Sequence, residues 1–390
     1  MDLRALEQVG RAFGFGIYVH WPYCARICPY CDFNVYAAKD RDETPLVEAI
    51  CNDIAAQKAV LLHRHGAPDT LYFGGGTPSL ISPAGLSAIL DAVNRNCGAP
   101  RGEITLEANP NDITPQRLAD WHALGITRLS IGIQSLEDDT LAFLGRDHSG
   151  EDARRSVALA LETFPNTSVD LIYARPGQTL PAWERELTAA LDFGAPHLSL
   201  YELTIEERTA FGKRAARGEL VPMPEEGQAD LYELTQQICE AAGLPAYEIS
   251  NHARAPEFES RHNRIYWNSG DWMGVGPGAH GRLTYGTGRN ATVCHRRPAD
   301  YIASACHGRL GWAETERLSD EEIGHEFLAM GLRVAEGLDL ARLEALTGSL
   351  DPAQLSRLEE ANLLSRENRR LLLTRQGRLL ADYVAAQLLK

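Results

Sequence analysis

Residues 17–31 read IYVHWPYCARICPYC. The segment begins with a short β-branched and aromatic run, residues 17–19, which is typical of a buried strand. Three cysteines follow at once, with the spacing Cys24-x3-Cys28-x2-Cys31. Barrels built from alternating strands and helices carry their chemistry on the loops that follow the strands. The segment therefore predicts a reactive loop at the carboxyl end of a first strand.

The alternation of strands and helices continues from this segment through the next 180 or so residues. Further β-branched or aromatic runs occupy residues 70–73, 104–106, 128–133, 168–173 and 197–201. Amphipathic stretches separate them, at residues 42–62, 83–96, 115–124, 151–163 and 181–193. Six such β/α units predict an α/β fold with a parallel sheet, in the form of a complete or partial (β/α) barrel.

The end of the chain has a different pattern. We predict helices at residues 320–334, 340–346 and 352–361, a hairpin at 363–373, and an amphipathic helix at 375–389. Helices followed by a hairpin favour a small, mainly helical, winged-helix-like domain. We predict two domains, residues 1–300 and 301–390.

Composition and charge limit the class of protein. The formal net charge is -15 and the basic residues are scattered, so nucleic acid is not an expected partner. Residues 1–11 contain no apolar stretch, which argues against a secretory signal, and no 18-residue apolar run follows. We expect a cytoplasmic protein whose eight cysteines stay reduced. The five isolated ones are interpreted as small buried residues: Cys51, Cys97, Cys239, Cys294 and Cys306.

The three clustered cysteines suit an iron–sulfur cluster with one open iron. Three thiolates leave a 4Fe-4S cubane one ligand short, and the amino and carboxylate groups of S-adenosylmethionine (SAM) can occupy the free position. One-electron reduction would then break a carbon–sulfur bond and yield a 5'-deoxyadenosyl radical. The alternative is a zinc site in which His20 completes the set, although structural zinc sites usually pair two separated knuckles.

Polar or glycine residues also occur where later predicted strands end. Residues 74–78 read GGGTP, and glycines there let backbone amides approach a ligand such as the methionine end of SAM. Glu107, Gln134 and Asp170 lie at the third, fourth and fifth strands, and their side chains suit ribose hydroxyls. Taken alone, the glycine stretch is equally explained as a tight turn, and each of the three polar residues is better explained as a turn or capping residue; together on successive strands they favour a ligand site.

Residues 18–31 resemble the radical SAM signature of the oxygen-independent coproporphyrinogen III oxidase group. The resemblance extends to at least residue 201 and implies that Cys24, Cys28 and Cys31 hold the cluster. The positions that it implies for SAM contact are Tyr18, Tyr30, Gly75, Gly76, Thr77, Glu107, Gln134, Arg146, Asp170, Thr204 and His280. For residues 271–281 a structural glycine-rich loop is the simpler interpretation.

Within that group, three features resemble the haem-chaperone branch, HemW. Phe33 stands where the oxidases have a fourth cysteine, only sixteen residues precede Ile17, and residues 262–267 read HNRIYW, like the branch's haem-associated motif. Within the segment 260–288 the resemblance implies haem contact by four residues: His262, Asn263, Tyr266 and Trp267. Ser260 departs from the cysteine found in many relatives, which leaves the iron ligand open. Ordinary packing of the histidine and the aromatic residues is the alternative.

The resemblance gives a first hypothesis and two alternatives. The first is a haem chaperone that binds the cluster, SAM and haem as cargo and passes haem to an acceptor protein, such as a membrane-bound one. The second is an enzyme, a coproporphyrinogen III dehydrogenase that decarboxylates its substrate to protoporphyrinogen IX. The third is a zinc-stabilised binding module. The sequence does not decide whether the chain is an enzyme or a homodimer.

Overall fold

The computed structural model describes residues 14–38, 42–61 and 65–389. Residues 1–11, for which no secretory signal is predicted, and Leu62, at the end of the first predicted helix, lie outside these ranges. Among the helices within these ranges, none combines the length and the apolar character needed to cross a bilayer.

The predicted β/α units are present, with ends shifted by a few residues at most. The strands are β1 (Phe15–Trp21), β4 (Thr70–Gly75), β5 (Glu103–Ala108), β6 (Arg128–Gln134), β7 (Thr167–Tyr173) and β8 (His197–Glu202), and the short strands β2 (Tyr23–Cys24) and β3 (Tyr36–Ala37) flank the cysteine loop. The helices of these units are α1 (Thr44–Leu61), α2 (Pro83–Cys97), α3 (Pro115–Ala123), α4 (Asp138–Phe143), α5 (Gly150–Thr163) and α6 (Leu180–Leu191). Side-chain caps begin several of them; the Ser149 hydroxyl accepts from the Asp152 amide at the start of α5.

One open sheet organises the described part of the chain from Phe15 to Arg317. Strands β1, β4, β5, β6, β7 and β8 are parallel neighbours in that order, and β10 (Asp271–Val275) joins the free side of β1, also in parallel. Antiparallel strands extend both sides: β9 (Asn251–Ala253) beyond β8, and β11 (His280–Tyr285), β12 (Gly288–Cys294) and β13 (Trp312–Arg317) beyond β10. Because β9 and β13 form two separate edges, the sheet does not close. The barrel is therefore partial, which is one of the two forms predicted from the sequence.

The glycine-rich stretch is mainly strand, which corrects the simpler interpretation of a structural loop. Gly274 lies in β10, where a Cβ would meet the backbone of His280, so glycine lets β10 and β11 approach closely. Gly276 and Gly278 adopt φ of 101° and 81° in the turn between these strands. The turn touches the cysteine loop, because the Asn34 amide donates to the Pro277 carbonyl at 2.8 Å.

The core lies between the sheet and its outer helices, and it follows the two-residue period of the strands. Leu71 and Phe73 on β4, with Leu129 and Ile131 on β6, face the helices and are completely buried. Alternate positions face the interior of the partial barrel, and many of these are polar: Thr105, Glu107, Ser130, Ser168, Asp170 and Ser199. The sheet therefore has a closed outer face and a polar inner face.

The remaining α-helices of the sheet domain lie between the later strands of the main sheet in chain order. They are α7 (Ala210–Ala216), α8 (Glu225–Ala241), α9 (Arg261–Trp267) and α10 (Pro298–Ala305). Helix α9 carries the HNRIYW sequence; the Ser260 hydroxyl accepts from the Asn263 amide at 3.3 Å, which caps its start.

A second apolar core gathers residues from Ile323 to Leu388. It contains α11 (Asp320–Gly331), α12 (Leu340–Thr347), α13 (Pro352–Glu360), α14 (Arg375–Leu379), α15 (Ala381–Leu388) and a small sheet of β14 (Leu338–Asp339), β15 (Leu364–Glu367) and β16 (Arg370–Leu373). Helices with a β-hairpin agree with the predicted winged-helix-like domain. The boundary between the two domains was predicted between residues 300 and 301. Since β13 belongs to the main sheet, we infer that this boundary lies nearer residue 318.

The last predicted helix, residues 375–389, is interrupted. Leu380 has φ -119° and ψ 27°, outside helical geometry, and separates α14 from α15. Gly377 packs directly on the backbone of Leu363, an approach that only glycine permits. The first turn is therefore held against the hairpin, and the chain changes direction before α15.

The second domain is attached to the sheet domain beside α9. Arg264 on that helix forms an ion pair with Glu336. The Arg342 guanidinium donates to the carbonyls of Asn268, at 2.8 Å, and Ser269, at 3.4 Å, just beyond the helix. Arg289 of β12 donates to the same Ser269 carbonyl at 2.6 Å. The Ser269 carbonyl therefore receives one guanidinium from each domain.

Candidate cluster and cofactor site

A cavity of about 450 Å³ extends from the cysteine loop into the partial barrel. It lies at the carboxyl ends of the parallel strands, where barrels of this kind bind ligands. The predicted site residues that line it are Cys24, Cys28, Tyr30, Cys31, Gly75, Gly76, Thr77, Glu107, Gln134, Arg146, Asp170, Thr204 and Asn263. The structure therefore brings together most of the residues that the sequence predicts from separate strands.

The cysteine loop is held in place by one asparagine and one histidine. The Asn34 side-chain amide donates to the carbonyls of Pro277 and Arg296, both at 2.8 Å. The Asn34 carbonyl lies 3.0 Å from His20 Nε2, and His20 Nδ1 lies 3.1 Å from the Tyr18 hydroxyl. These bonds link the end of the loop to β1 and to the turn after β10.

Gly76 lets the glycine loop after β4 press against the cysteine loop. Its amide donates to the Trp21 carbonyl at 2.7 Å. A Cβ at this position would lie 2.8 Å from the Tyr23 carbonyl oxygen, 2.9 Å from that of Trp21, and 3.0 Å from Cys24 Sγ. The two loops thus pack at backbone distance beside the first cysteine.

Burial disfavours the thiolate form of two of the three clustered cysteines. Burial raises the pKa of the Cys24 thiol, and burial likewise raises the pKa of Cys31 to about 11. A thiol in such surroundings stays protonated until a metal takes the place of the proton. The donor set of three thiols on one loop, beside an open cavity, fits a 4Fe-4S cluster with one iron left for SAM.

The zinc alternative finds less support at His20. Both ring nitrogens of His20 already have partners, the Asn34 carbonyl and the Tyr18 hydroxyl. His20 therefore stabilises the loop in this arrangement and does not complete a tetrahedral set with the cysteines.

Glu107 is oriented by two donors from β4. The Tyr72 hydroxyl donates to Oε1 at 2.8 Å, and the Gly75 amide donates to Oε2 at 3.2 Å. Burial raises the pKa of Glu107 to about 7. Each oxygen retains a lone pair on the cavity side, so the carboxyl can accept hydrogen bonds from a diol such as ribose.

Arg146 and Gln134 meet at the end of β6. Arg146 donates to the Asn109 side chain at 2.6 Å and to the Gly132 carbonyl at 2.9 Å, and its Nη1 lies 3.5 Å from Cys28 Sγ. Gln134 follows a β-bulge and has φ 64°, a strained conformation for a residue other than glycine. The bulge turns the Gln134 side chain, which borders the cavity near the guanidinium.

Asp170 lies deeper, within a group of serines. Its carboxylate accepts from the Ser130 hydroxyl at 2.8 Å and from that of Ser168 at 3.0 Å. Burial raises its pKa, with the serine hydroxyls opposing that shift. These small side chains leave the β5 to β8 side of the interior open.

Two of the residues predicted for SAM contact do not line the cavity. The Tyr18 side chain is partly buried next to Tyr72, with ring centroids 6.1 Å apart, and its hydroxyl bonds to His20. His280 is exposed at the start of β11. Contact with SAM by these two residues stays a prediction.

The predicted haem residues are placed at the opposite end of the interior. His262 is 1% exposed; its Nδ1 lies 2.7 Å from the Thr70 hydroxyl and its Nε2 lies 2.7 Å from that of Tyr266. Asn263 borders the cavity, whereas Tyr266 and Trp267 do not. Haem contact by these four residues stays a prediction, and iron ligation by His262 requires one of its two hydrogen bonds to break.

Several residues of the site escaped the sequence analysis: Asn34, Tyr72, Thr105, Asn109, Ser130, Ser168 and Ser199. Most of them share one signal. On strands whose other face is apolar, they occupy alternate positions on the inner face, in register with Glu107 or Asp170. Polar residues at period two on a parallel strand indicate an inner cavity, because such strands are otherwise apolar on both faces.

Comparison with known proteins places this site in a family. The radical SAM superfamily profile matches residues 18–189, and the HemN C-terminal domain profile matches residues 318–380. The chain is 35% identical over 376 residues to "Heme chaperone HemW" of Bacillus subtilis, covering 94% of this chain and 97% of that protein. The chain belongs to the HemW group of the radical SAM superfamily. It is also 38% identical over 382 residues to the HemW of Mycobacterium tuberculosis, covering 96% of this chain and 95% of that one.

An animal protein and a solved bacterial structure are also similar to this chain. "Radical S-adenosyl methionine domain-containing protein 1, mitochondrial" of Bos taurus is 37% identical over 386 residues, covering 96% of this chain and 87% of that protein. The coproporphyrinogen III oxidase HemN of Escherichia coli superimposes with a TM-score of 0.80, at 19% identity, over 99% of this chain and 93% of that chain. This similarity shows the common fold: the α/β radical SAM sheet with a helical C-terminal domain.

Proposed function

We propose that the chain is a haem chaperone of the radical SAM type, which binds a 4Fe-4S cluster, SAM and haem and delivers haem to an acceptor protein. The observation that carries the proposal is the match to HemW proteins along almost the whole chain. Phe33 supports it, because it stands in place of a fourth cysteine, is 64% exposed and borders the cavity next to the cysteines. Ile27 is also exposed at this rim.

The chain's own residues would hold the two cofactors in a fixed geometry. Cys24, Cys28 and Cys31 would supply the three thiolates, and Glu107 would accept from the ribose hydroxyls. Arg146 offers a fixed cation to the SAM carboxylate. A reduced cluster with SAM bound supplies an electron for cleavage of a carbon–sulfur bond.

The contacts with the remaining ligands are proposed in the same way. The other residues proposed for SAM are Tyr18, Tyr30, Gly75, Gly76, Thr77, Gln134, Asp170, Thr204 and His280. For haem, the proposed residues are those of the motif in α9, and His262 would ligate iron only after one of its two hydrogen bonds breaks. We propose a haem protein as acceptor and the cytoplasm as location, although some relatives are named mitochondrial.

Haem titration of the anaerobically reconstituted full chain tests the proposal. A saturable Soret change, followed by loss of that signal when an apo-haem protein is added, is the expected result. The absence of saturation would overturn the proposal. Formation of protoporphyrinogen IX from coproporphyrinogen III, in the presence of SAM and a reductant, would favour the oxidase instead.

A further inference from the structure

The interior of the partial barrel has two unlike sides. Serines and a threonine face the cavity on the side of β5 to β8, while three aromatic rings and an imidazole fill the side of β1 and β4. Tyr18 and Tyr72 project from β1 and β4, and His262 and Tyr266 reach in from α9. Within this cluster, the Tyr72 ring lies between His262 of α9 and Glu107.

His262 is fixed at the base of the cluster. Its two ring nitrogens are held by the hydroxyls of Thr70 and Tyr266, each at 2.7 Å. A Cβ on Gly16 would lie 3.1 Å from the imidazole Nδ1 and Cε1, so the ring fills the space next to β1. The backbone amide of His262 donates to the Glu103 carboxylate at 3.3 Å, at the start of the strand that carries Glu107.

The imidazole in turn supports Tyr72. The two rings are stacked, with centroids 5.0 Å apart and an interplanar angle of 27°. Gly74 leaves room for the far side of the tyrosine: a Cβ there would lie 2.9 Å from Tyr72 Cε1 and 3.1 Å from Glu107 Oε1. The position of the Tyr72 ring sets the position of its hydroxyl, which donates to Glu107 at 2.8 Å.

We infer that His262 is a positioning residue for SAM. Its imidazole holds the ring of Tyr72, and the Tyr72 hydroxyl fixes Glu107, the carboxylate proposed to bind the ribose. The inference rests on the proposed SAM site and assigns the histidine of the HNRIYW sequence a role besides haem contact. Since Arg264 of the same helix pairs with Glu336, the arrangement joins the second domain to the SAM site through one helix. Loss of the stack would let the Tyr72 ring tilt, and Glu107 would lose its strongest donor.

A double-mutant cycle on SAM binding tests this coupling. The full chain with reconstituted cluster is compared with Tyr72→Phe, His262→Gln and the double variant. SAM affinity is measured by anaerobic equilibrium dialysis, together with the SAM-induced change in the EPR spectrum of the reduced cluster. Tyr285→Phe is the matched control, because it removes an exposed hydroxyl that bonds only to Thr315 among the contacts described.

Tyr72→Phe removes a hydrogen bond to a carboxylate and is expected to weaken SAM binding roughly tenfold. His262→Gln is expected to weaken it by about fivefold, and to add nothing in the Tyr72→Phe background, since it acts through that hydroxyl. Equal losses in both backgrounds would overturn the inference. Unchanged SAM affinity of His262→Gln, with haem binding lost, would also overturn it and would favour iron ligation.

SAM binding and the coupling between His262 and Tyr72 are refuted by different results. A wild-type chain that holds its cluster and binds no SAM refutes the proposed function. A wild-type chain that binds SAM and shows an additive cycle refutes only the coupling. If His262→Gln loses its cluster or does not fold, Tyr266→Phe replaces it, since that change removes only the hydroxyl that holds Nε2.

Discussion

Replacement of Gly76 by alanine is expected to disturb the cysteine loop directly. The added methyl group would lie 2.8 Å and 2.9 Å from two carbonyl oxygens, those of Tyr23 and Trp21, and 3.0 Å from Cys24 Sγ. The carbonyls belong to β1 and β2, so they cannot rotate away as a flexible side chain would. Relief of the contact therefore requires the loop to move by several tenths of an ångström.

The size of the effect follows from the energy of overpacking. Forced insertion of a methyl group into a packed site costs about 2 kcal/mol. For a domain of roughly 300 residues, this corresponds to a decrease of about 3 °C in the midpoint of thermal unfolding. The shift of Cys24 should also lower the amount of iron retained after anaerobic reconstitution, because one thiolate no longer faces its iron.

Differential scanning fluorimetry and iron and sulfide analysis measure both effects. The control is Gly66→Ala, because a Cβ on Gly66 would meet no atom within 4 Å and Gly66 has no left-handed φ. The control should retain the wild-type midpoint and iron content. If Gly76→Ala matches its control in both measurements, the two loops do not pack as described, and the placement of Cys24 beside the glycine loop is wrong.

Two further predictions concern the cysteines and the buried histidine. Replacement of Cys24, Cys28 or Cys31 by alanine should abolish the visible absorption of the cluster, whereas Cys306→Ala, at a residue distant from the loop, should preserve it; equal colour in all four variants would refute the assignment. Burial lowers the pKa of His262 to about 3 from 6.5, so below pH 6.5 the unfolded chain binds a proton that the folded chain does not. From pH 6 to pH 5, denaturant titration should show the free energy of unfolding of the wild type falling by about 1 kcal/mol more than that of His262→Gln, and parallel curves would contradict the burial.

The parallel strands of the main sheet could be predicted from the sequence, because their local residue patterns are strong. Each of the six strands is a short run with β-branched or aromatic residues, followed by a loop and an amphipathic helix, and the two-residue period of the strands differs clearly from the 3.6-residue period of the helices. The glycine-rich stretch was misjudged for the opposite reason. Gly274 and Gly281 lie in strands at positions where a neighbouring backbone leaves no room for a side chain. No local pattern of residues shows the distance to a neighbouring strand.

The residues that line the cavity were predicted where a sequence motif marks the position, and missed where the position depends on contacts with other strands. Cys24, Glu107 and Arg146 could be placed from the motifs around them. Tyr72 could not, because its function depends on the carboxyl that it contacts across two strands. The enclosure of His262 was equally hidden, since the HNRIYW sequence shows which side chains are present and not that Thr70 and Tyr266 occupy both nitrogens.

The carbonyls of Asn268 and Ser269 have a consequence for how the family can diverge. The cations that reach them from Arg342 and Arg289 need only a main-chain oxygen, which every amino acid supplies. Mutation at either carbonyl position therefore leaves the acceptor in place, provided that the left-handed backbone at Ser269, φ 53°, is tolerated. The contact that Arg342 makes between the two domains therefore does not depend on the side chains at positions 268 and 269, and Arg342 is the position at which a substitution would remove it.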